Sequence, residues 1–289
     1  MKNIIISLVF LYIFFQPNIA AAKTKVIAGP DVYSSTVERV RSAAKNSSIP
    51  YTLILSNLIR DKLHLNGSRD NLILLPNNLP EKSVNLIVWL HGCNGFSKRT
   101  FSKRILSQAK MLYENGSSFI FAVPELPWSA NTSTKCKRLG RAFRRPGELN
   151  EYILNVKKTV DSMAGKADRS YRVVIIGHSG GGSAIRALSL SGDLCSSKAA
   201  AVVWSDASYG SWFSSFLGGC VKEGFEGEIH VVARKGDKPY RAALSALSKR
   251  STKDMKLKLF PRFMKRRSWT HSRIGDRILS IVDVIPPGC

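Results

Sequence analysis

The sequence has few of the features that mark several common classes of protein. Its five cysteines are scattered without a CxxC spacing, which argues against a zinc site. It contains no internal repeat and no low-complexity tract. Beyond the N-terminal segment, no apolar run approaches the roughly 20 residues that a membrane-spanning helix needs. The composition therefore favours one globular domain over a repeat protein, a zinc-binding module or a multispanning membrane protein.

Acidic residues are scarce as well. The chain has 20 Asp and Glu against 44 Lys and Arg, a formal net charge of +24. Such a charge draws polyanions, including nucleic acid, anionic lipid, lipopolysaccharide and acidic wall polymers. A general compositional bias explains the charge equally well, because net charge reports on association and not on chemistry. A nucleic-acid partner is the least supported, since the basic residues are dispersed and no recognised binding motif accompanies them.

The first 22 residues have the pattern of a secretory signal peptide. A lysine near the start is followed by an almost unbroken apolar run over 4–15 and by small residues before Lys23. Because this run is too short to span a bilayer, we expect cleavage after residue 22 and not a membrane anchor. We therefore expect residues 23–289 to form a single domain that is exported to the periplasm or secreted.

Export would permit disulfide bonds, and the odd number of cysteines leaves at least one thiol unpaired within the chain. Cys195 and Cys220 are candidates for pairing because they flank the same short predicted strand.

Apolar runs alternate with segments of helical periodicity along most of the chain. Several runs are continuously apolar, which is typical of strands buried on both faces of a parallel sheet. The pattern predicts an α/β fold whose mostly parallel sheet is covered on both faces, with ligands bound at the carboxyl ends of its strands. The predicted strands are 51–58, 71–75, 85–90, 118–123, 171–176, 199–204, 228–233 and 256–260. The predicted helices are 34–45, 98–114, 148–163, 180–190, 239–248 and 273–282.

The segment Gly177-His178-Ser179-Gly180-Gly181 fits the pattern G-x-S-x-G. Small residues on both sides of the serine let backbones pass closely at a strained strand-to-helix turn, which exposes a nucleophilic hydroxyl. A buried strand precedes the motif and a helix follows it, as this chemistry requires. Dinucleotide-binding and Walker patterns do not fit. Ser179 is therefore the candidate nucleophile.

Two further features would complete the chemistry. His91-Gly92-Cys93 follows an earlier strand, so the amides of Cys93 and Gly180 are candidates to bind an oxyanion. The Cys93 thiol is a weaker rival nucleophile, and His91 is expected to hold the loop by a hydrogen bond. His271 is the candidate base, because it follows the other predicted strands and precedes the last predicted helix. Each remaining histidine lies in an early hairpin, in one of these motifs or at the far end of the sheet.

The acid that would orient His271 has two candidates. Asp206 follows the strand at 199–204, and Asp237 follows the strand at 228–233. Asp237 lies in a polar turn between two lysines, which suits a solvated carboxylate. Asp206 lies between an apolar strand and aromatic residues, which suits a buried and oriented one, and we favour it narrowly.

These residues give the chain a resemblance to the α/β-hydrolase superfamily over 51–284. The resemblance rests on His91-Gly92, on the turn at Ser179 and on the late His271. It implies an α/β-hydrolase domain and a serine hydrolase, such as an esterase, lipase or peptidase, without a metal or organic cofactor. In most members the acid would correspond to Asp237. The run that begins at Asp206 is instead similar to an Asp-Ala-x-Tyr-Gly element of some uncharacterised exported bacterial members.

The substrate is less defined, because this fold hosts several activities and also non-enzymes. The basic loop of residues 125–147 follows a strand and should rim the site, so Arg138 and Arg141 are candidates to bind an anionic substrate. Trp128 and Tyr209 are candidates to line an acyl pocket. We expect a small or polymeric ester or amide substrate, with an anionic group or an origin in the cell envelope or membrane surface. The alternative is a non-catalytic basic protein that docks on cell-wall polymer, lipopolysaccharide or another polyanion.

Overall fold

The computed structural model describes residues 24–286, apart from 31, 33, 46–49, 60–68, 81, 94, 96, 98, 127–142, 166–167, 250–257 and 266. The expected signal peptide therefore lies outside the described residues. Among the described residues, no helix is long and apolar enough to cross a membrane.

A twisted layer of nine hydrogen-bonded strands organises the described residues, in the order β1-β2-β3-β5-β4-β6-β7-β8-β9. Neighbouring strands are parallel except around β3, which is antiparallel to both β2 and β5. The prediction of a mostly parallel sheet is thus confirmed. The strands are β1 Lys25–Ala28, β2 Tyr51–Ile59, β3 Arg69–Pro76, β4 Ser83–Leu90, β5 Phe119–Pro124, β6 Ser170–His178, β7 Ala201–Ser205, β8 Glu228–Arg234 and β9 Leu259–Met264.

Helices connect these strands and cover both faces of the sheet. They are α1 Ser34–Ala44, α2 Ser107–Glu114, α3 Glu148–Ala164, α4 Gly182–Leu190, α5 Asp193–Ser196, α6 Trp212–Phe216, α7 Lys238–Ser248, α8 His271–Asp276 and α9 Ile278–Ile281. Two π-helical segments, Thr100–Leu106 and Leu217–Val221, continue directly into or out of neighbouring helices.

Each face of the sheet carries its own apolar core, because side chains alternate along a strand. In β4, Leu86 and Val88 pack into the core beneath α3 and α4, whereas Ile87 and Trp89 pack into the core that holds α1, α2 and α8. All four side chains are fully buried. The continuous apolar run of this strand is therefore explained by burial on both faces.

The chain departs from the predicted elements in a few places. The single helix predicted over 273–282 is two helices, α8 and α9, separated at Arg277. The Leu279 amide donates to Oε1 of the Gln108 side chain at 2.8 Å, so a tertiary contact supplies the partner that a continuous helix would have supplied. The last strand lies further along the chain than predicted because its pairing with β8 runs from Leu259 to Met264. The predictions omitted β1, α5 and α6.

A disulfide joins Cys195 to Cys220, with 5.1 Å between their Cα atoms. This pair is the one that the sequence singled out. It links the end of α5 to the π-helical segment before β8, across a chain separation of 25 residues. Cys220 is fully buried in the core beneath α3 and α4, and Cys195 packs against the same core.

Removing this disulfide with the double substitution Cys195→Ala and Cys220→Ala should lower the free energy of unfolding by about 3 kcal/mol, because the unfolded chain gains the entropy of an open loop. Urea denaturation followed by circular dichroism, without reductant, measures the difference. An unchanged denaturation midpoint would show that this cross-link does not constrain the chain.

Candidate active site

Ser179 lies at the carboxyl end of β6, on the turn that leads into α4. Its φ is 55°, in the left-handed region that non-glycine residues rarely occupy. Its neighbours must be small. A Cβ on Gly181 would lie 2.1 Å from the Leu90 carbonyl oxygen, and one on Gly92 would lie 2.9 Å from the Ser179 Cβ. The end of β4 therefore touches the serine directly, as the glycine-rich sequence predicts.

His271 and Asp206 form a hydrogen-bonded pair at the same edge of the sheet. The His271 Nδ1 lies 2.6 Å from Asp206 Oδ2, and Asp206 is buried. The other carboxylate oxygen of Asp206 accepts a hydrogen bond of 3.3 Å from the Arg234 amide at the end of β8. Asp206 itself has a φ of 49°. Since the carboxylate can only accept, His271 carries its proton on Nδ1 and its Nε2 is available as a base.

Asp237, the other candidate acid, forms a different contact. Its carboxylate pairs with the guanidinium of Arg234 through two hydrogen bonds, Nε to Oδ2 at 2.5 Å and Nη2 to Oδ1 at 3.0 Å. The carboxylate is therefore held at the start of α7, and no hydrogen bond joins it to His271 in the described part of the chain.

The Tyr209 hydroxyl lies near the Ser179 side chain and the Asp206 carboxylate. Burial and the nearby Asp206 carboxylate raise the pKa of Tyr209 to about 12. The phenol consequently keeps its proton at neutral pH. Its ring contacts Trp212 edge to face, with 5.6 Å between the ring centroids. Among the described residues, a hydrogen bond joins His271 to Asp206, but none joins Ser179 to His271.

His91 holds the loop after β4, as expected from the sequence. Its Nε2 accepts a hydrogen bond of 2.7 Å from the Leu126 amide, so its Nδ1 carries the proton and donates to the Gly92 carbonyl at 2.7 Å. This ties the ends of β4 and β5 together next to Ser179. Cys93 is disulfide-bonded, so its thiol is not free to act as a nucleophile. The idea of a rival thiol nucleophile is therefore wrong.

His178, which precedes the serine, was not assigned a role from the sequence. It is fully buried, and its ring stacks on that of His271 with 4.8 Å between the centroids. Burial, together with the nearby Arg104 guanidinium, holds the pKa of His178 well below its ordinary value. The ring is therefore neutral. No local signal distinguishes it from any other residue at the variable position of G-x-S-x-G.

Three exposed basic side chains that lie near His271 in the chain form what we call the basic rim. Lys265, Arg267 and Arg273 are exposed between the end of β9 and the first turn of α8. The Arg273 guanidinium lies over the Trp269 ring, 5.4 Å from its centroid, and donates to the Ser268 carbonyl at 2.9 Å. This basic rim was not predicted, although its residues flank His271 in the sequence. The predicted substrate contacts Trp128, Arg138 and Arg141 lie outside the described residues.

Among the described residues, no three His, Cys, Asp or Glu side chains are close enough together to hold a metal ion.

No protein-family model matches the chain, and no curated protein matches it. The structure is similar to several solved structures. S-formylglutathione hydrolase (FrmB) of Staphylococcus aureus aligns over 81% of this chain and 98% of its own, with a TM-score of 0.51 and 16% identity. The fluorophosphonate-binding serine hydrolase FphF of Staphylococcus aureus aligns over 80% and 96%, with a TM-score of 0.51 and 14% identity. With this strand order and these structural neighbours, the chain has the α/β-hydrolase fold that its sequence predicts.

Proposed function

We propose that the chain is a serine hydrolase that cleaves a carboxylic ester or amide. Ser179 is the nucleophile, His271 the base and Asp206 the acid that orients it. The observation that carries the proposal is the 2.6 Å hydrogen bond from His271 to Asp206, at the sheet edge where Ser179 occupies a strained turn. Strained backbone at a strand-to-helix turn is a common property of nucleophiles on this fold.

The reaction proceeds in two steps through an acyl-enzyme. As the Ser179 oxygen attacks the carbonyl carbon, His271 Nε2 takes the hydroxyl proton and then gives it to the leaving group. Water, deprotonated by His271, then attacks the acyl carbon. The bond between the acyl carbon and the Ser179 oxygen breaks, His271 returns the proton to that oxygen, and the acid is released. Asp206 keeps the proton on Nδ1 and stabilises the imidazolium that forms in each step.

The developing oxyanion needs donors on the β4 side of the serine. The amides of Cys93 and Gly180 fill this role in the proposal, since Gly92 is in contact with Ser179 and Gly180 directly follows it. One such donor is typically worth on the order of 10²–10³ in rate. The Tyr209 hydroxyl approaches the serine as well and binds the substrate next to the scissile bond.

Asp206 is the acid in this proposal, and not Asp237. Asp206 is buried and contacts the imidazole directly, whereas Asp237 is bound by the Arg234 guanidinium. Moving Asp237 to His271 would break two charge-assisted hydrogen bonds, which are among the stronger side-chain contacts in proteins.

We further propose that the preferred substrate carries an anionic group, because the basic rim is exposed on the segment that runs from β9 into the helix that begins with His271. Arginine binds carboxylate and phosphate through paired donors. Export, with residues 1–22 as the signal, belongs to the same proposal and would bring the enzyme to substrates of the cell envelope. A non-catalytic protein that binds polyanions through its charge is the alternative, and a reactive serine would exclude it.

The reactivity of Ser179 can be measured with an activity probe. A fluorophosphonate probe should label the purified chain, and Ser179→Ala and His271→Ala should each abolish labelling, because the attack needs both the hydroxyl and the base. Gel fluorescence measures this directly. His230→Ala serves as the control, since His230 lies at the opposite end of the sheet, bonded to Glu228. Unlabelled wild-type protein that is folded would favour the binding alternative.

The two acids can be separated by matched substitutions. Asp206→Asn should slow fluorophosphonate labelling by about 10³- to 10⁴-fold, because the amide no longer enforces the Nδ1–H form of His271. Asp237→Asn should leave the rate within a fewfold of the wild type. Equal effects of the two variants, or a larger effect of Asp237→Asn, would assign the acid to Asp237.

Substrate charge is tested with two esters of equal acyl length, p-nitrophenyl hemisuccinate and p-nitrophenyl butyrate. We expect kcat/KM to favour the anionic ester about fivefold, and the preference to shrink with added salt because the rim is exposed. The double variant Arg267→Gln and Arg273→Gln should remove the preference. Lys222→Gln, before β8 at the opposite edge of the sheet, is the matched control. A preference that survives the double variant would contradict a role for the rim.

A further inference from the structure

His178 is in contact with the helix that carries the proposed base. Its ring stacks on the His271 ring at an interplanar angle of 27°, and Gly275 packs against the same ring. A Cβ at position 275 would approach the His178 ring atoms Cε1, Nδ1 and Nε2 to 2.5–2.7 Å. His271 and Gly275 are four residues apart in α8, and therefore lie on one face of that helix. One face of the helix therefore packs on this imidazole ring.

That ring is anchored to the strand that leads to the acid. The His178 Nδ1 lies 3.0 Å from the Ser205 carbonyl oxygen, which can only accept, so Nδ1 carries the proton and donates. Ser205 is the last residue of β7 and directly precedes Asp206. The same side chain therefore contacts the helix that holds the base and the strand that holds the acid.

The opposite nitrogen of His178 forms no hydrogen bond within the described part of the chain. Nε2 is buried and unpartnered, a state that costs free energy and is therefore uncommon. The charged groups around the ring are the Arg104 and Arg99 guanidinium groups of the segment before α2 and the Asp276 carboxylate of α8 that pairs with them. In these surroundings the ring stays uncharged. The contact of its face with α8 is given by the stacking on His271 and the approach of Gly275.

We propose that His178 is a positioning residue, whose ring sets the depth and the orientation of the His271 imidazole relative to Asp206. It acts on the reaction only through His271. The consequence for catalysis rests on the proposed serine hydrolase activity, whereas the consequence for the geometry of the pair does not. Because a misplacement of about 1 Å costs on the order of 10²-fold in rate, the ring has a measurable effect although it contacts no substrate.

Two substitutions at position 178 separate the ring from its hydrogen bond. His178→Asn keeps a donor for the Ser205 carbonyl but has no ring, and His178→Phe keeps a ring but has no donor. We expect fluorophosphonate labelling to slow about 10- to 100-fold in His178→Asn and to be restored in large part by His178→Phe. Slower labelling in His178→Phe than in His178→Asn would overturn the proposal, because the hydrogen bond would then be the feature that matters.

A second readout does not depend on activity. The proton between His271 Nδ1 and Asp206 should give a far-downfield ¹H NMR signal, assigned by its loss in Asp206→Asn. The signal should persist in the wild type and in His178→Phe, and broaden or vanish in His178→Asn. An unchanged signal in His178→Asn, or no such signal in the wild type, overturns the proposal. A wild-type signal without labelling would refute the hydrolase activity and leave the positioning role intact.

A substitution on the helix side guards against misfolding of the position 178 variants. Gly275→Ala should lift α8 from the His178 ring and slow labelling at least tenfold, with loss of the downfield signal. Gly29→Ala is the matched control, because a Cβ there meets its nearest neighbour at 3.7 Å, an ordinary contact distance. Wild-type labelling and an unchanged signal in Gly275→Ala would show that the contact with the ring does not set the position of His271.

Discussion

The hydrogen bond from His271 to Asp206 is the constraint on which the remainder of the site depends. It spans 65 residues of sequence, and it forms only if β7, β8 and the segment after β9 end at the same edge of the sheet. The Arg234 amide at the end of β8 holds the second oxygen of the carboxylate. The backbone of one strand therefore orients a side chain from its neighbour, and the precision of the pair derives from the sheet register.

The two faces of the sheet make different contributions to this edge. The core under α3 and α4 supports the turn at Ser179 from one side, while α8 approaches from the other face, where Trp89 and Ile274 are buried. His178 is the residue at which the second face meets the site. Because protein interiors are close-packed, we expect a substitution in this core to shift His271 even when the substituted residue does not contact Ser179, His271 or Asp206.

The features that depend on neighbouring residues in the sequence were predictable from it, whereas those that depend on distant residues were not. The turn at Ser179 was predictable because a turn of this kind brings backbones so close together that glycine is required. Gly181 lies against Leu90, and Gly92 lies against Ser179. The sequence favoured Asp206 over Asp237 only narrowly, since both carboxylates follow parallel strands. The contact of Asp237 with Arg234 and that of Asp206 with His271 depend on the tertiary structure. The break between α8 and α9 depends on Gln108, which is 171 residues from Leu279 in the sequence, so no local signal marks it.

Two non-glycine residues of the site, Ser179 and Asp206, have left-handed backbone conformations. Each such residue costs of order 1–3 kcal/mol, a sizeable part of the margin by which a domain of this size stays folded. Glycine at either position would remove this conformational strain and stabilise the fold, but it would also remove the hydroxyl or the carboxylate. Under the proposed mechanism, the serine and the aspartate at these two positions supply reactive groups at the expense of stability.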